Sequence, residues 1–260
     1  INVVTGYGHE VGDALARHPG IDHISFTGSP SVGTLIAQAA AERHCPVTLE
    51  LGGKSPQIVF ADADLDAALP AIVNAIVQNA GQTCSAGSRL LVERSLYEPL
   101  LERLGALFSK LRAGPAALDL DVGPLIRATQ KERVLDFLAQ AEAAGIATVA
   151  RGSVVPEAPA GGFYAAPVLL RDVPADHRLA QEEIFGPVLC AMAFDDEDHA
   201  VQLANGTAFG LVAGVWTRDG ARQMRMARRL QCGQVFINNY GAGGGVELPF
   251  GGVKSSGYGR

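Results

Sequence analysis

The sequence has little cysteine, no surplus of basic charge and no long apolar run, and each shortage closes a class of function. Four cysteines (Cys45, Cys84, Cys190 and Cys232) in 260 residues, none paired at short spacing, exclude a disulfide framework and a zinc site, so no metal is expected. A reducing, cytoplasmic setting follows as the expectation. With 21 basic against 27 acidic residues, the chain lacks the electrostatic footprint of a nucleic-acid binder. The densest cationic cluster, Arg222, Arg225, Arg228 and Arg229, sits at helical spacing around Met224, Met226 and Leu230 and reads as a solvated helix face. No run of about 18 apolar residues is present, so no membrane partner is expected. Ile1-Asn2-Val3-Val4 has neither an initiator Met nor a basic segment, which is not the pattern of a signal peptide. Repeats are missing, and the only biased tract is the glycine-rich stretch 241–245, a candidate mobile loop.

What is present is ample apolar material. Hydrophobic residues make up 48% of the chain, with 31 glycines, 14 prolines and a net charge of -6, which excludes a disordered or fibrous chain. At about 150 residues per domain, the length suits one large domain or two modest ones. Short β-branched runs alternate with longer helical patterns, which predicts an α/β fold with largely parallel sheets and flanking helices. Strands are expected at 1–5, 21–26, 47–51, 54–60, 90–93, 189–194, 212–217 and 234–238. Helices are expected at 10–17, 30–43, from Asp62 and Asp64 to about 79, and at 96–111, 129–144, 197–205 and 220–230. Leu100, Leu104, Leu107 and Leu111 are expected on one buried helix face, and residues 154–162 as a surface loop.

Two glycine turns lead strands into helices. Gly6-Tyr7-Gly8-His9-Glu10-Val11-Gly12 is one residue too long for a dinucleotide fingerprint. Gly28-Ser29-Pro30-Ser31-Val32-Gly33 opens a helix whose free N–H groups suit an anion, although an ordinary capped helix explains it too. Glu50 ends an apolar strand before Gly52-Gly53, at the edge where ligands bind in parallel sheets, and partial burial there makes a carboxylate a better general base. Cys84 lies in Gly81-Gln82-Thr83-Cys84-Ser85-Ala86-Gly87-Ser88, whose small residues admit a substrate to the thiol. Cys45, Cys190 and Cys232 read instead as small buried hydrophobes. A cysteine-protease reading ranks low, because none of the six histidines lies in a recognisable catalytic segment.

These residues resemble the aldehyde dehydrogenase superfamily. Phe26-Thr27-Gly28-Ser29, Leu49-Glu50-Leu51-Gly52-Gly53-Lys54-Ser55-Pro56, Gly81-Gln82-Thr83-Cys84, Glu182-Glu183-Ile184-Phe185-Gly186-Pro187 and Pro249-Phe250-Gly251-Gly252 occur in that family's order, and the likeness runs through all 260 residues. The resemblance implies NAD(P)+-dependent oxidation of a small aldehyde to a carboxylic acid. Cys84 is then the nucleophile, passing through a thiohemiacetal and a thioester, with its backbone N–H donating to the oxyanion. Glu50 activates the hydrolytic water, which argues against the branch that forms acyl-CoA. Gly28, Ser29, Val32 and Gly33 correspond to pyrophosphate and adenosine contacts, and Gly8 and Gly12 to the wall near the adenine. Leu51 corresponds to a carbonyl for the carboxamide, Glu183 to the nicotinamide ribose carboxylate and Phe185 to the ring packed nearby. Phe250 corresponds to a wall of the substrate tunnel, and Gln130 lies near the cofactor in a looser match.

The resemblance also divides the chain: 1–52 as the C-terminal part of a Rossmann-like NAD(P)-binding domain, 53–255 as the catalytic domain, and 256–260 as the start of a return segment. Gly244 stands where many members carry an aromatic residue in the substrate loop, beside Glu247. The family's upstream Pro-Trp-Asn-Phe segment, its lysine-bearing strand and its subunit-pairing arm are not in this sequence. The chain therefore reads as a C-terminal half, cut at both ends, of a protein expected to be a homodimer or homotetramer. Two rival readings are a folded but catalytically inert fragment and a cofactor-independent thiol esterase.

Overall fold

A computed structural model describes residues 1–241 and 248–259. Most of the 241–245 stretch, with Gly244 and Glu247, and Arg260 lie outside the described residues. The fold is α/β, and two sheets of unequal size organise it. In the small sheet Ile24–Thr27 and Val47–Glu50 run parallel with Thr27 opposite Glu50, and Gly257–Tyr258 returns antiparallel with Gly257 opposite Glu50. The large sheet has seven strands in the order Gln234–Ile237, Val212–Trp216, Pro56–Val59, Arg89–Glu93, Val188–Phe194, Val168–Leu170 and Thr148–Arg151. Its neighbours are parallel except the last pair, which is antiparallel.

Strands covered on both faces need continuous apolar runs, and the central three supply them. Ile58, Leu90, Leu91 and Cys190 are fully buried there. Helix Leu65–Val77 covers this sheet with Leu69, Ile72 and Ile76, and Asp64 caps it by accepting from the N–H groups of Asp66 and Ala67. Asp62, expected to share that cap, instead accepts from the Thr217 hydroxyl at 2.8 Å and from the N–H groups of Arg218 and Asp219. Helix Arg94–Phe108 buries Tyr97, Leu100, Leu101, Leu104 and Phe108. Leu107 is only half-buried and Leu111 follows the helix, so the core face is rotated slightly from the one expected.

Residues 1–5 do not form the expected strand. Ile1, Val3 and Val4 are exposed, and Ile24–Thr27 pairs with Val47–Glu50 rather than with them, so the apolar run has no ladder to join. The first helix is split into a wide turn at Gly8–Gly12 and a short helix, Asp13–Arg17. The strands Thr148–Arg151 and Val168–Leu170 and the short pairings of Arg112–Ala113 with Ser153–Val154 and of Phe209–Gly210 with Val253–Lys254 were not expected from the sequence. Segments this short carry too few residues to show a period. Among the described residues no helix is long and apolar enough to cross a membrane. No group of three His, Cys, Asp or Glu there is arranged to hold a metal ion.

Candidate active site

The loop that carries Cys84 is launched by an unusual turn. After helix Leu65–Val77, three successive residues adopt positive φ: Asn79 at 51°, Ala80 at 55° and Gly81 at 73°. The left-handed region is strained for alanine and costs glycine little. A side chain on Gly81 would also bring a Cβ to 2.2 Å from the Gly186 carbonyl oxygen. The turn thus leans on the 182–187 segment. Gln82 braces it, donating to the Asn79 carbonyl at 3.1 Å and accepting from the Ile126 N–H at 2.9 Å. Cys84 is half-buried, and the next carbonyl, that of Ser85, accepts from the Tyr240 hydroxyl at 2.7 Å.

Glu50 ends its strand at the edge opposite this loop. Its carbonyl accepts from the Gly28 N–H at 3.0 Å, which ties the two glycine-rich turns together. The next residues are held from the far end of the chain. The Leu51 N–H donates to the Ser256 carbonyl at 2.9 Å. The Ser256 hydroxyl, fully buried, donates to the Gly52 carbonyl at 2.7 Å and accepts from the Gly210 N–H at 3.0 Å. A Cβ on Gly53 would stand 2.2 Å from the Cys84 carbonyl oxygen, so only glycine lets the Glu50 strand approach the cysteine loop this closely.

Glu183 enters from the third side. Its Oε1 accepts from the Gly53 N–H at 2.9 Å. Arg133 donates to the Glu183 carbonyl at 2.6 Å, and the Gln130 amide donates to the carbonyls of Ile184 at 3.0 Å and Phe185 at 2.7 Å. These bonds hold Phe185 at a φ of 60°. Burial raises the Glu183 pKa, and the Gly53 N–H, Lys54 and Arg133 oppose it. Burial also pushes the Cys84 thiol up, with Glu183 and then Glu50 adding to the rise. The N–H groups of Ser85 and of Cys84 itself pull it back. Lys54 is almost wholly buried, and its ammonium has no hydrogen-bond partner among the described residues. Desolvation lowers its pKa to about 8.

A cavity of about 900 Å³ brings together Cys84, Gly28, Ser29, Leu51, Glu183 and Phe185, with Gln130 in its wall. Gly8, Gly12 and Val32 line a second cavity of about 650 Å³ along the small sheet, with Phe26 and Leu35. Gly33 lines neither; it makes room for Leu51, whose Cδ2 would lie 2.6 Å from a Cβ there. Glu50 and Phe250 are half-buried outside the lining of the larger cavity. The Ser29 hydroxyl is occupied as a helix cap, accepting from the Val32 N–H at 3.4 Å. Sequence reasoning missed Arg133, Tyr240 and Ser256, and also Arg127, which lines the larger cavity. Arg133 was within reach, one helical turn from Gln130 on the same face. Cys190 is buried as expected, whereas Cys45 and Cys232 are only half-buried. Their thiols donate to the carbonyls of Ile21 at 3.6 Å and Gln234 at 3.2 Å.

Comparison with known proteins identifies relatives across the whole chain. The model of the aldehyde dehydrogenase family matches residues 1–260. Betaine aldehyde dehydrogenase 1 of Rhizobium meliloti is 41% identical over 260 residues, covering 100% of this chain and 53% of its own length. A solved structure from Burkholderia cenocepacia, described as a "Putative Aldehyde Dehydrogenase", is 74% identical with a TM-score of 0.97, covering 99% of this chain and 54% of that one. The NAD+ complex of aldehyde dehydrogenase from Bacillus cereus is 39% identical with a TM-score of 0.92, covering 98% and 51%. The chain spans about half the length of the curated relatives it matches.

Proposed function

The chain belongs to the aldehyde dehydrogenase family, and on that premise we propose that its cavity oxidises an aldehyde to a carboxylic acid, with Cys84 as nucleophile and Glu50 as general base. The observation that carries this reading is the contact at Gly53, which packs the turn after Glu50 on the Cys84 carbonyl beside a ligand-sized cavity that Leu51, Gly52 and Cys84 line. Cys84 Sγ attacks the aldehyde carbon, and the Cys84 backbone N–H would donate to the oxygen as charge builds on it. Loss of that adduct's hydride to the bound dinucleotide would leave the Cys84 thioester, and Glu50 would take the proton of the water that cleaves it, releasing the carboxylic acid and the thiol.

The residues fit a nicotinamide dinucleotide. Gly28 and Gly52 both line the larger cavity where no side chain fits, since a Cβ would come within 2.4 Å of the Phe26 ring at Gly28 and within 2.6 Å of the Glu183 carboxylate at Gly52. The Ser29 helix start suits a pyrophosphate, and Gly33 and Val32 flank it. Glu183 would take the ribose hydroxyls, with Phe185 beside it, Leu51 would offer its carbonyl to the carboxamide, and Gly8 and Gly12 would wall the adenine. Phe250 would border the aldehyde. NAD+ supplies the hydride acceptor when bound, and the relative solved with NAD+ supports that choice of dinucleotide. The same reading divides the chain near residue 52 and assigns the whole protein a cytoplasmic, homo-oligomeric form.

The test is NADH formation from NAD+ and a panel of aldehydes. Wild type is expected to turn over, and Cys84→Ala to lose about 10³-fold or more. Equal rates in both would remove Cys84 from the mechanism. A folded chain without NADH formation favours the inert fragment. Ester hydrolysis indifferent to cofactor favours the esterase.

A further inference from the structure

The turn that carries Cys84 is tied to an edge strand of the large sheet through a residue that the reaction above does not use. The Ala86 N–H donates to the Thr83 carbonyl at 3.0 Å, which closes a four-residue turn with Cys84 and Ser85 at its centre. The Gly87 N–H then donates at 3.0 Å to the carbonyl of Ala75 on the preceding helix. The two central carbonyls meet distant parts of the chain. That of Cys84 faces Gly53, and that of Ser85 accepts from the Tyr240 hydroxyl at 2.7 Å, across 155 residues.

Tyr240 is itself firmly seated. The chain leaves strand Gln234–Ile237 through Asn238, whose φ of 49° lies in the left-handed region that asparagine tolerates. The Asn238 side chain locks this corner, accepting from the Thr217 N–H and donating to the Thr217 carbonyl, both at 3.0 Å. The Tyr240 ring then lies on Gly214, in the middle of strand Val212–Trp216, where a Cβ would stand 2.7 Å from its Cδ2. Glycine inside a strand marks such a close approach. The Phe236 ring lies against it, with the centroids 5.8 Å apart.

We propose that Tyr240 is a positioning residue for the nucleophile: its hydroxyl, braced by Gly214 and the Asn238 corner, fixes the Ser85 carbonyl and with it the turn that presents Cys84 to the cavity. The proposal rests on the reading of Cys84 as the reactive thiol. Tyr240 lies outside the lining of the larger cavity, so it reaches the reaction through the turn and not through contact with a ligand there. Attack on a carbonyl carbon depends steeply on the approach, and a misplacement of about 1 Å can cost about 10²-fold in rate.

The experiment uses Tyr240→Phe, which removes the hydroxyl and keeps the ring on Gly214. Hydrogen exchange read by mass spectrometry is expected to quicken about tenfold for the amides of residues 83–87. This measurement needs neither cofactor nor turnover. With NAD+ and an aldehyde, kcat is expected to fall about tenfold while both KM values stay within about twofold, the split of a residue that acts on attack rather than on binding. Leu170→Ala, in a buried strand on the other side of the large sheet from Gln234–Ile237, controls for lost stability and is expected to change neither reading. Unchanged exchange in Tyr240→Phe, an equal quickening in Leu170→Ala, or a loss confined to KM overturns the proposal and leaves the nucleophile reading intact. NADH formation that survives Cys84→Ala overturns that reading and the proposal together.

Discussion

The two sheets that meet at Cys84 are supported very differently. In the large sheet the central strands are sealed on both faces, and Ile58, Leu90, Leu91 and Cys190 are each 0% exposed. In the small sheet Ile24–Thr27 alternates between half-buried and exposed, and the helices beside it turn Leu15 (46% exposed), Val32 (42%) and Leu35 (62%) to solvent. The candidate nucleophile therefore rides on a core complete within these residues. The candidate base and half of the cofactor cradle ride on a sheet that these residues leave partly uncovered. Stability and site geometry are carried by different parts of the molecule, and substitutions in the two parts should separate them.

The comparison breaks first at its strongest point. Leu91→Ala, in the sealed sheet, is expected to cost about 2–5 kcal/mol of stability. Guanidinium denaturation followed by Trp216, the single tryptophan, measures it. A loss much below that range would mean the large sheet is not the stabilising half.

Lys54→Met probes the buried charge on the same side and carries a pH signature. The folded amine releases its proton near 8, against an ordinary value of 10.5. Between these values the unfolded chain holds more proton, so the penalty of burying the ammonium is full below pH 8 and fades as pH rises toward 10.5. The substitution is expected to stabilise by up to about 3 kcal/mol at pH 7 and by progressively less at higher pH. Thermal midpoints across that range check it, and a gain independent of pH would sink the account.

Leu35→Ser, on the uncovered side, is expected to change stability by no more than about 0.5 kcal/mol. A larger loss in the same denaturation assay would show that the small sheet has a cover of its own.

Much of this was legible from residues whose partners are close in sequence. Helix Glu197–Asn205 was expected with the bounds it has, because Asp196 accepts from the His199 N–H at its start and Gly206 follows its end. The Cys84 loop was legible from its small residues, although the helix before it ends at Val77 rather than at about 79. Alternation of strand and helix patterns gave the α/β class. What escaped depends on partners far away. Asp62 has the look of a helix cap until Thr217 and the N–H groups after it, some 155 residues downstream, claim its carboxylate. The run at 1–5 has the composition of a strand, but pairing decides strands, and these residues have no ladder to join. Glu183 and Phe185 were found only through their motif. Their orientation depends on Gln130 and Arg133, which local pattern does not connect to them.

The Ser256 hydroxyl reaches the Gly52 carbonyl across 204 residues of chain. Removing the residues from Ser256 onward would therefore unfasten the turn after Glu50 while sparing every strand of the seven-stranded sheet, the last of which in sequence ends at Ile237.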